Sequence, residues 1–365
     1  MLLSRQERTA APEKADIPTR NRSVHHADVA PLVSVVIPAY NAANTIAEAL
    51  KSACAQSYRN LEIIVVDDGS TDDTGDIVRQ IAAEDSRIRL IQTPNRGVAA
   101  ARNRGIEEAG ADYVAMLDAD DLWHPTKLQK QMEVMRSSPV EPGFVYCLYR
   151  NINADGLVTY SAPEVACRGN VLTRHVYVNF VGNGSSLLLR RDAIEAVGGF
   201  DPGLRQRGIE GCEDLLLQLK IASNFNVDFV PEYLVAYRQH PSMMSLDQHR
   251  MLRSRIAALE LVREVAPHVP GYVFRWNLAQ QCYRTALSCA RRRRWGLAAR
   301  LFARSFIHDP RSAFAKIRVT LQPRRPPAGL FASYSPSEGA NPPSRLQARR
   351  LQRLSEIDAP ARTSA

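Results

Sequence analysis

Three carboxylates, Asp118, Asp120 and Asp121, follow directly on an apolar run at residues 113–117. Carboxylates crowded within a few ångströms repel one another and shift each other's pKa unless a divalent cation or a paired base neutralises them. A second acidic pair, Asp67 and Asp68, closes an earlier apolar run at 61–66 in the same manner. Two buried strands ending in acid imply one shared site, because open α/β sheets bind ligands in the crevice at the carboxyl ends of their strands. The chemistry that suits such a site is that of a hard cation, which keeps several waters and binds through one or two carboxylates plus substrate phosphates.

Other segments could serve the same crevice. Tyr40 and Asn41 come immediately after an apolar run at 32–37, where a ring can stack on a base, or where Asn41 can simply satisfy the backbone of a strand-to-helix turn. The stretch 67–74 offers acceptors for base or ribose donors, with Gly69 allowing a tight turn; it also reads as a capped helix start. Residues 95–103 give a small-residue helix start that a ligand can approach closely, with Arg96 and Arg102 available to phosphate or carboxylate, or solvated on an amphipathic helix. Glu213 and Asp214 open a later helix, where acid complements the dipole and stays ionised.

These residues need a frame. From 31 to 137 strand and helix patterns alternate as β-α-β-α-β-α-β, which predicts an α/β fold with a mainly parallel sheet flanked by helices and right-handed crossovers. From 138 to 245 the pattern turns α+β, with a hairpin over 144–150 and 157–160, strands at 185–189, 227–230 and 233–237, and a helix over 212–222. This half can supply the acceptor side. Residues 246–320 read as a helical extension, in which 278–310 looks like a single tetratricopeptide-type hairpin that packs as a cap. The ends, 1–30 and 321–365, are polar and charged or rich in Pro, Arg and Ser, and are expected to be disordered.

Taken in order, VSVVIPAYN (33–41), DDGSTDDT (67–74), NRGVAAARN (95–103), DADD (118–121), GGFD (198–201) and GCED (211–214) make the chain resemble the family-2 glycosyltransferases of the GT-A fold, from about residue 32 to 240. The resemblance implies an inverting, metal-dependent transferase of hexosyl type whose donor is a nucleotide-diphosphate sugar, with uridine the family's commonest base. It places Pro38, Tyr40, Asn41, Asp68, Asn95, Gly97, Arg102, Asp118 and Asp120 on the donor side. Tyr40 would lie against the base and Asp68 would accept from a base N–H. Asp120 would bind Mn²⁺ or Mg²⁺ bridging the diphosphate, with Asp118 toward the ribose or the metal's water shell and His240 completing the shell or touching phosphate. Asp214 would be the general base, with Glu213 beside it on the acceptor side and Glu210 as a substitute. Asp121 is expected to cap the helix that starts near Pro125. The family's processive members carry Q-x-x-R-W and membrane spans; Phe274-Arg275-Trp276 lacks the preceding pattern, so one sugar per event is expected. A binding-only relative is the alternative, against which the intact Asp120 and Asp214 speak. An aspartyl-phosphatase reading of Asp118-x-Asp120 fails on Leu122, where Thr or Val is wanted.

Composition sets the outer limits. With 365 residues and 45% hydrophobic content the chain can bury a proper core. The net charge of +9 is concentrated around Arg291, Arg292, Arg293 and Arg294, which read as a solvated helix end or as a peripheral contact with an anionic membrane. No aromatic-interleaved basic groove accompanies them, so nucleic acid is not an expected partner. Six cysteines without a C-x-x-C pair read as reduced thiols. No secretory h-region and no run of about 20 apolar residues occurs, and the expected location is cytoplasmic, with possible attachment to the inner face of the cytoplasmic membrane. A glycan or glycolipid acceptor in bacterial surface-polysaccharide assembly would suit that place, by analogy with the family.

Overall fold

The strand at the centre of the sheet, β1 (Val33–Ala39), is buried at all seven positions. A strand covered on both faces carries a continuous apolar run rather than an alternating one, which is why 33–39 is so uniformly aliphatic. A computed structural model describes residues 30–162, 165–240, 243, 247–311 and 345–359. The elements below all fall in the unit Pro31–Ala365.

After β1 come α1 (Ile46–Cys54), β2 (Leu61–Asp67), α2 (Thr74–Ala82), β3 (Ile88–Gln92), α3 (Val98–Glu108), β4 (Tyr113–Met116), β5 (Leu122–Trp123) and α4 (Lys127–Ser137). The second half runs β6 (Phe144–Ile152), β7 (Val158–Ser161), α5 (Leu172–Tyr177), a 3-10 turn (Gly184–Ser186), β8 (Leu187–Arg190), α6 (Arg191–Ala196), α7 (Gly203–Gln206), α8 (Glu213–Asn224) and β9 (Val227–Arg238). Then follow α9 (Gln248–Val265), α10 (Gly271–Arg291), α11 (Trp295–His308) and α12 (Arg345–Asp358).

The sheet order is β3-β2-β1-β4-β8-β6-β9-β5, with β7 paired to β6. The first four strands are parallel, as the alternation predicts. Beyond β4 the sheet is mixed: β8 runs antiparallel to β4 and β6, β9 is parallel to β6, and β5 is antiparallel to β9. Alternate strand residues feed two cores. Val36, Ile64, Val66 and Met116 face the layer that includes α3, α5 and α8, while Val35, Ile37, Ile63 and Val65 face α1, α2 and α4. At Gly105 on α3 an added Cβ would lie 2.3 Å from a methyl of Val36, so the helix backbone rests directly on β1.

Register does the positioning. Ala39 lies opposite Asp67, and Val36 opposite Met116, so Tyr40, Asp68 and Asp118 emerge at one edge of the sheet. Pro38, expected on the donor side, is buried inside β1 opposite Val66; it lies past the last pairing with β4, where its missing N–H is not needed.

Three elements differ from the sequence reading. The two strands expected at 227–230 and 233–237 are one strand, β9, whose register against β6 slips where Pro231 and Glu232 bulge out between Val230 and Tyr233. The strand expected from 185 begins at Leu187, after the 3-10 turn. Part of the tail expected to be disordered is α12. Asp358 accepts from the Thr173 and Arg174 N–H groups at 2.8 and 3.2 Å and pairs with the Arg174 side chain, satisfying the open N-terminus of α5. Arg350 pairs with buried Asp309 and lies 4.0 Å above the Trp276 ring. The expected helical hairpin is present as α10 and α11, pinned by Ser305 Oγ to the Ala279 carbonyl at 2.8 Å. Asn277 ties α10 to α5 through the Val176 carbonyl.

Candidate functional site

The rim of the crevice is knitted by backbone-to-side-chain bonds. Tyr40 is 53% exposed at the end of β1, an unusual solvent exposure for a ring of that size. Asn41 holds a left-handed backbone (φ 49°) and accepts from the Thr71 N–H at 2.8 Å, while its own N–H donates to Ser70 Oγ at 2.9 Å. Asp67, first of the acidic pair, is a turn residue: it accepts from the Ser70 N–H and from Gln92. Asp68 is buried and accepts from the N–H groups of Arg96 and Gly97 at 2.8 and 2.7 Å, fixing the loop that enters α3. The oxygen reached by the Gly97 N–H keeps a second lone pair for a ligand donor, while the other also lies 3.5 Å from the Thr93 hydroxyl. Gly97 has φ 89°, so a side chain there would be strained as well as pressed on Arg205. Asn95 Oδ1 accepts from Arg205 at 2.6 Å.

Arg102 is the hub between the two halves. Rather than opening onto the crevice, it is buried and reaches Asp118 at 2.7 Å and Glu213 at 3.0 Å. Burial opposes its charge, but Asp118, Glu213 and Asp214 outweigh that and hold its pKa above the ordinary value. Glu213 is therefore occupied, with its other oxygen accepting from the Gly211 N–H at 2.9 Å. Glu210 is occupied too, by Arg205 and Arg250. Asp214 remains. Half-buried in the first turn of α8, it accepts from the Leu215 N–H, and burial together with the Glu213 charge pushes its pKa up to about 7, against the pull of Arg102. A carboxylate so poised can take up a proton at neutral pH.

The D-x-D-D turn is gripped from three sides. The Asp118 N–H donates to Ser185 Oγ at 3.0 Å, and that hydroxyl donates to Asp121 at 2.6 Å. The Arg238 N–H donates to the other Asp121 oxygen at 3.0 Å, and Arg238 Nε to the Asp120 carbonyl at 2.9 Å. Asp121 is thus fully buried between β4, the 3-10 turn and the end of β9, and does not cap α4, whose N-cap is Thr126 without a side-chain bond. Burial and the charges of Asp120 and Asp118 raise its pKa well above the carboxylate range. Asp120 meets His240 Nε2 at 2.9 Å; burial and Asp118 raise its pKa, with His240 pulling the other way. Trp123 Nε1 donates to the Ser185 carbonyl, and the fully buried Lys127 ammonium lies 3.9 Å from the Trp123 ring.

Comparison with known proteins decides what this arrangement belongs to. The model of glycosyl transferase family 2 matches residues 34–191. An Escherichia coli protein named UDP-Glc:alpha-D-GlcNAc-diphosphoundecaprenol beta-1,3-glucosyltransferase is 34% identical over 244 residues, covering 65% of this chain and 89% of that one. The chain belongs to glycosyl transferase family 2. A putative teichuronic acid biosynthesis glycosyltransferase of Bacillus subtilis is 47% identical over 106 residues, 29% of this chain and 42% of that one. The chain spans only 33% of the length of an uncharacterised Rickettsia felis glycosyltransferase to which it is 33% identical, over 56% of itself. The mannosyltransferase of Pyrobaculum calidifontis, solved with GDP-Man and Mn²⁺, superposes with a TM-score of 0.52 at 22% identity, covering 80% of this chain and 83% of that one, and shares the GT-A fold.

Within this family 2 chain the residues fit a divalent cation of the Mn²⁺ or Mg²⁺ type. No group of three or more His, Cys, Asp or Glu able to hold a metal occurs among the described residues, so the protein would offer a pair and leave the remaining positions to phosphate and water, the habit of these cations. Asp120 and His240, 2.9 Å apart, would be that pair, and a cation there would relieve the burial and repulsion that raise the Asp120 pKa. The sequence reading missed Ser185 and Arg238 as holders of this turn. Ser185 lies 64 residues from Asp121 and carries no motif; Arg238 had a signal, its place two residues before His240.

Proposed function

We propose that this chain transfers one sugar from a nucleotide-diphosphate sugar, UDP foremost, to a hydroxyl of a glycan or glycolipid acceptor with inversion at the anomeric carbon. The observation that carries the reading is that Arg102 spans from Asp118, two residues before Asp120 of the Asp120–His240 pair, to Glu213, which adjoins Asp214, a carboxylate of pKa about 7. Tyr40 presents its ring to the base, Asp68 accepts from a base N–H, and Asp118 faces the ribose or the metal's waters. Asp120 and His240 would hold Mn²⁺ or Mg²⁺. The cation supplies Lewis-acid stabilisation of the leaving diphosphate. Asp214 accepts the proton of the acceptor hydroxyl, whose oxygen bonds to the anomeric carbon as the bond from that carbon to the phosphate oxygen breaks. Glu213 holds Arg102 in place rather than touching the acceptor.

The E. coli relative is named for a lipid-linked acceptor and the B. subtilis one for a wall polymer, and surface-polysaccharide or glycolipid assembly is the setting proposed here. No helix among the described residues is long and apolar enough to cross a membrane. A peripheral contact at the inner face of the cytoplasmic membrane is supported by the turn Arg291 to Arg294 beside Trp295, which is 66% exposed, with Phe306 and Ile307 also exposed on α11. Thermal stability in the presence of UDP, GDP or dTDP, each with and without Mn²⁺, tests the donor site. The expected result is a metal-dependent rise in Tm with one nucleotide; no rise with any of the three contradicts the reading.

A further inference from the structure

Two distant stretches of chain carry Asp120 and His240, and one buried side chain ties them together. Asp120 lies in the turn after β4, closed by the Asp121 N–H on the Asp118 carbonyl at 3.1 Å, and His240 lies two residues past the end of β9. β5 pairs with β9 at Leu122–Ala236 and Trp123–Val235, so the ladder stops short of both. Where it stops, the Asp121 carboxylate takes over. One oxygen accepts from the Arg238 N–H at 3.0 Å. The other accepts from the Ser185 hydroxyl at 2.6 Å, and that hydroxyl oxygen accepts from the Asp118 N–H at 3.0 Å. The next N–H along, that of Gln239, turns the opposite way to the Ile152 carbonyl of β6 at 2.8 Å. Asp121 is thus the anchor for the end of β9 on the side of the acidic turn. The Arg238 side chain adds a second link, from Nε to the Asp120 carbonyl at 2.9 Å, before it runs on to the Ala154 carbonyl and Glu48. The 2.9 Å contact of Asp120 with His240 closes the ring.

We propose that Asp121 is a positioning residue: it fixes Asp120 and His240 relative to each other, and so sets how strongly a divalent cation tightens binding of the donor diphosphate. The inference rests on the reading of Asp120 and His240 as the cation pair and adds the group that builds that pair. Asp121 is fully buried with both oxygens engaged, so it acts through its neighbours rather than as a ligand. Burying a carboxylate is costly, and here both oxygens bond to uncharged donors. The geometry nonetheless demands this side chain, which is short and carries two oxygens that only accept. Asparagine has one such oxygen, and its amide would face either the Arg238 N–H, which cannot turn, or the Ser185 hydroxyl, which already accepts from the Asp118 N–H. Groups that hydrogen-bond behind metal ligands fix the ligands' orientation, and losing one commonly costs about 10–100-fold in metal affinity.

The test is calorimetric titration of UDP, with and without Mn²⁺, into the full parent chain, Asp121→Asn, Ser185→Ala, His240→Ala and the double variant of Asp121→Asn with His240→Ala. The readout is the ratio of the two UDP affinities, because a general loosening of the crevice lowers both alike and leaves the ratio in place. The ratio is expected to fall by about tenfold or more in Asp121→Asn. Ser185→Ala, the milder change, should lower it by about threefold or more and carries the test if Asp121→Asn does not fold. In the double variant the ratio should be no lower than in His240→Ala alone, since Asp121 acts through the pair. An unchanged ratio in Asp121→Asn, an unchanged ratio in Ser185→Ala where that variant carries the test, or losses that multiply in the double variant overturn the proposal. Absence of any Mn²⁺ effect in the parent would instead strike at the cation reading. Amide exchange in the metal-free chain then decides the tie itself: the Arg238 N–H should exchange about tenfold faster in Asp121→Asn, and an unchanged rate overturns it.

Discussion

Asp214 is the proposed general base, and its surroundings set the pH at which it can act. Burial and Glu213 lift its pKa to about 7, so kcat/KM should rise with pH through that value and level off above it. Asp214→Asn should lower the rate by about 10²–10⁴-fold while leaving donor affinity in place. The same shift has a stability consequence. A carboxyl whose folded pKa is raised binds its proton more tightly in the folded state, so its contribution is full below the unfolded value near 4 and is lost as pH rises toward 7. The asparagine variant, which cannot ionise, should therefore have the higher Tm at pH 8 and lose that advantage at pH 4, and thermal melts at the two pH values would check it. Glu213, one residue away, is held by Arg102 at 3.0 Å.

At the scale of elements, the short β5–α4 segment shows how the acidic turn is supported. Lys127, first residue of α4, is fully buried over Trp123 with no hydrogen-bond partner for its ammonium, and burial pulls its pKa down to about 8. A lysine with a depressed folded pKa gains stability as pH rises from about 8 toward its unfolded value. Lys127→Met should stabilise the fold by about 1–3 kcal/mol below pH 8 and by less at pH 10, measured by urea unfolding. A loss of stability at pH 7 would show that the cation–π contact outweighs the desolvation. Much of this layer was legible in the sequence: the uniform aliphatic run of β1 and the acid that ends β2 and β4 announced a parallel sheet and its crevice. Two features were not. Pro231 hides the continuity of β9, because a residue without an N–H normally ends a central strand and here it bulges instead. Asp121 looked like a helix cap because caps are local, whereas its partners Ser185 and Arg238 come from distant chain.

Over the whole molecule, α12 begins 37 residues after α11 ends, at 345 against 308, and closes on α5. Its sequence reads as a polar tail, with four arginines and a Pro-rich stretch before it, yet Arg350, Leu354 and Asp358 are buried along one face. Arg350→Ala removes the guanidinium paired with buried Asp309 and should cost about 3–5 kcal/mol, while Asp358→Ala, which removes a cap from α5, should cost about 0.5–2 kcal/mol. Equal small effects in denaturant unfolding would mean that α12 is not docked in solution. This closure, with α9 packed on the loop before α8 and α10 tied to α5, joins the helical region to the second half of the sheet domain. We propose that Asp120 and His240 would hold a cation at the donor diphosphate while Asp214 works apart from it. Calorimetric titration of UDP with and without Mn²⁺ into the parent chain, Asp120→Asn and Asp214→Asn tests it most directly. The account predicts that Mn²⁺ tightens UDP binding in the parent and in Asp214→Asn and has no effect in Asp120→Asn; Mn²⁺-enhanced binding that survives in Asp120→Asn would contradict it.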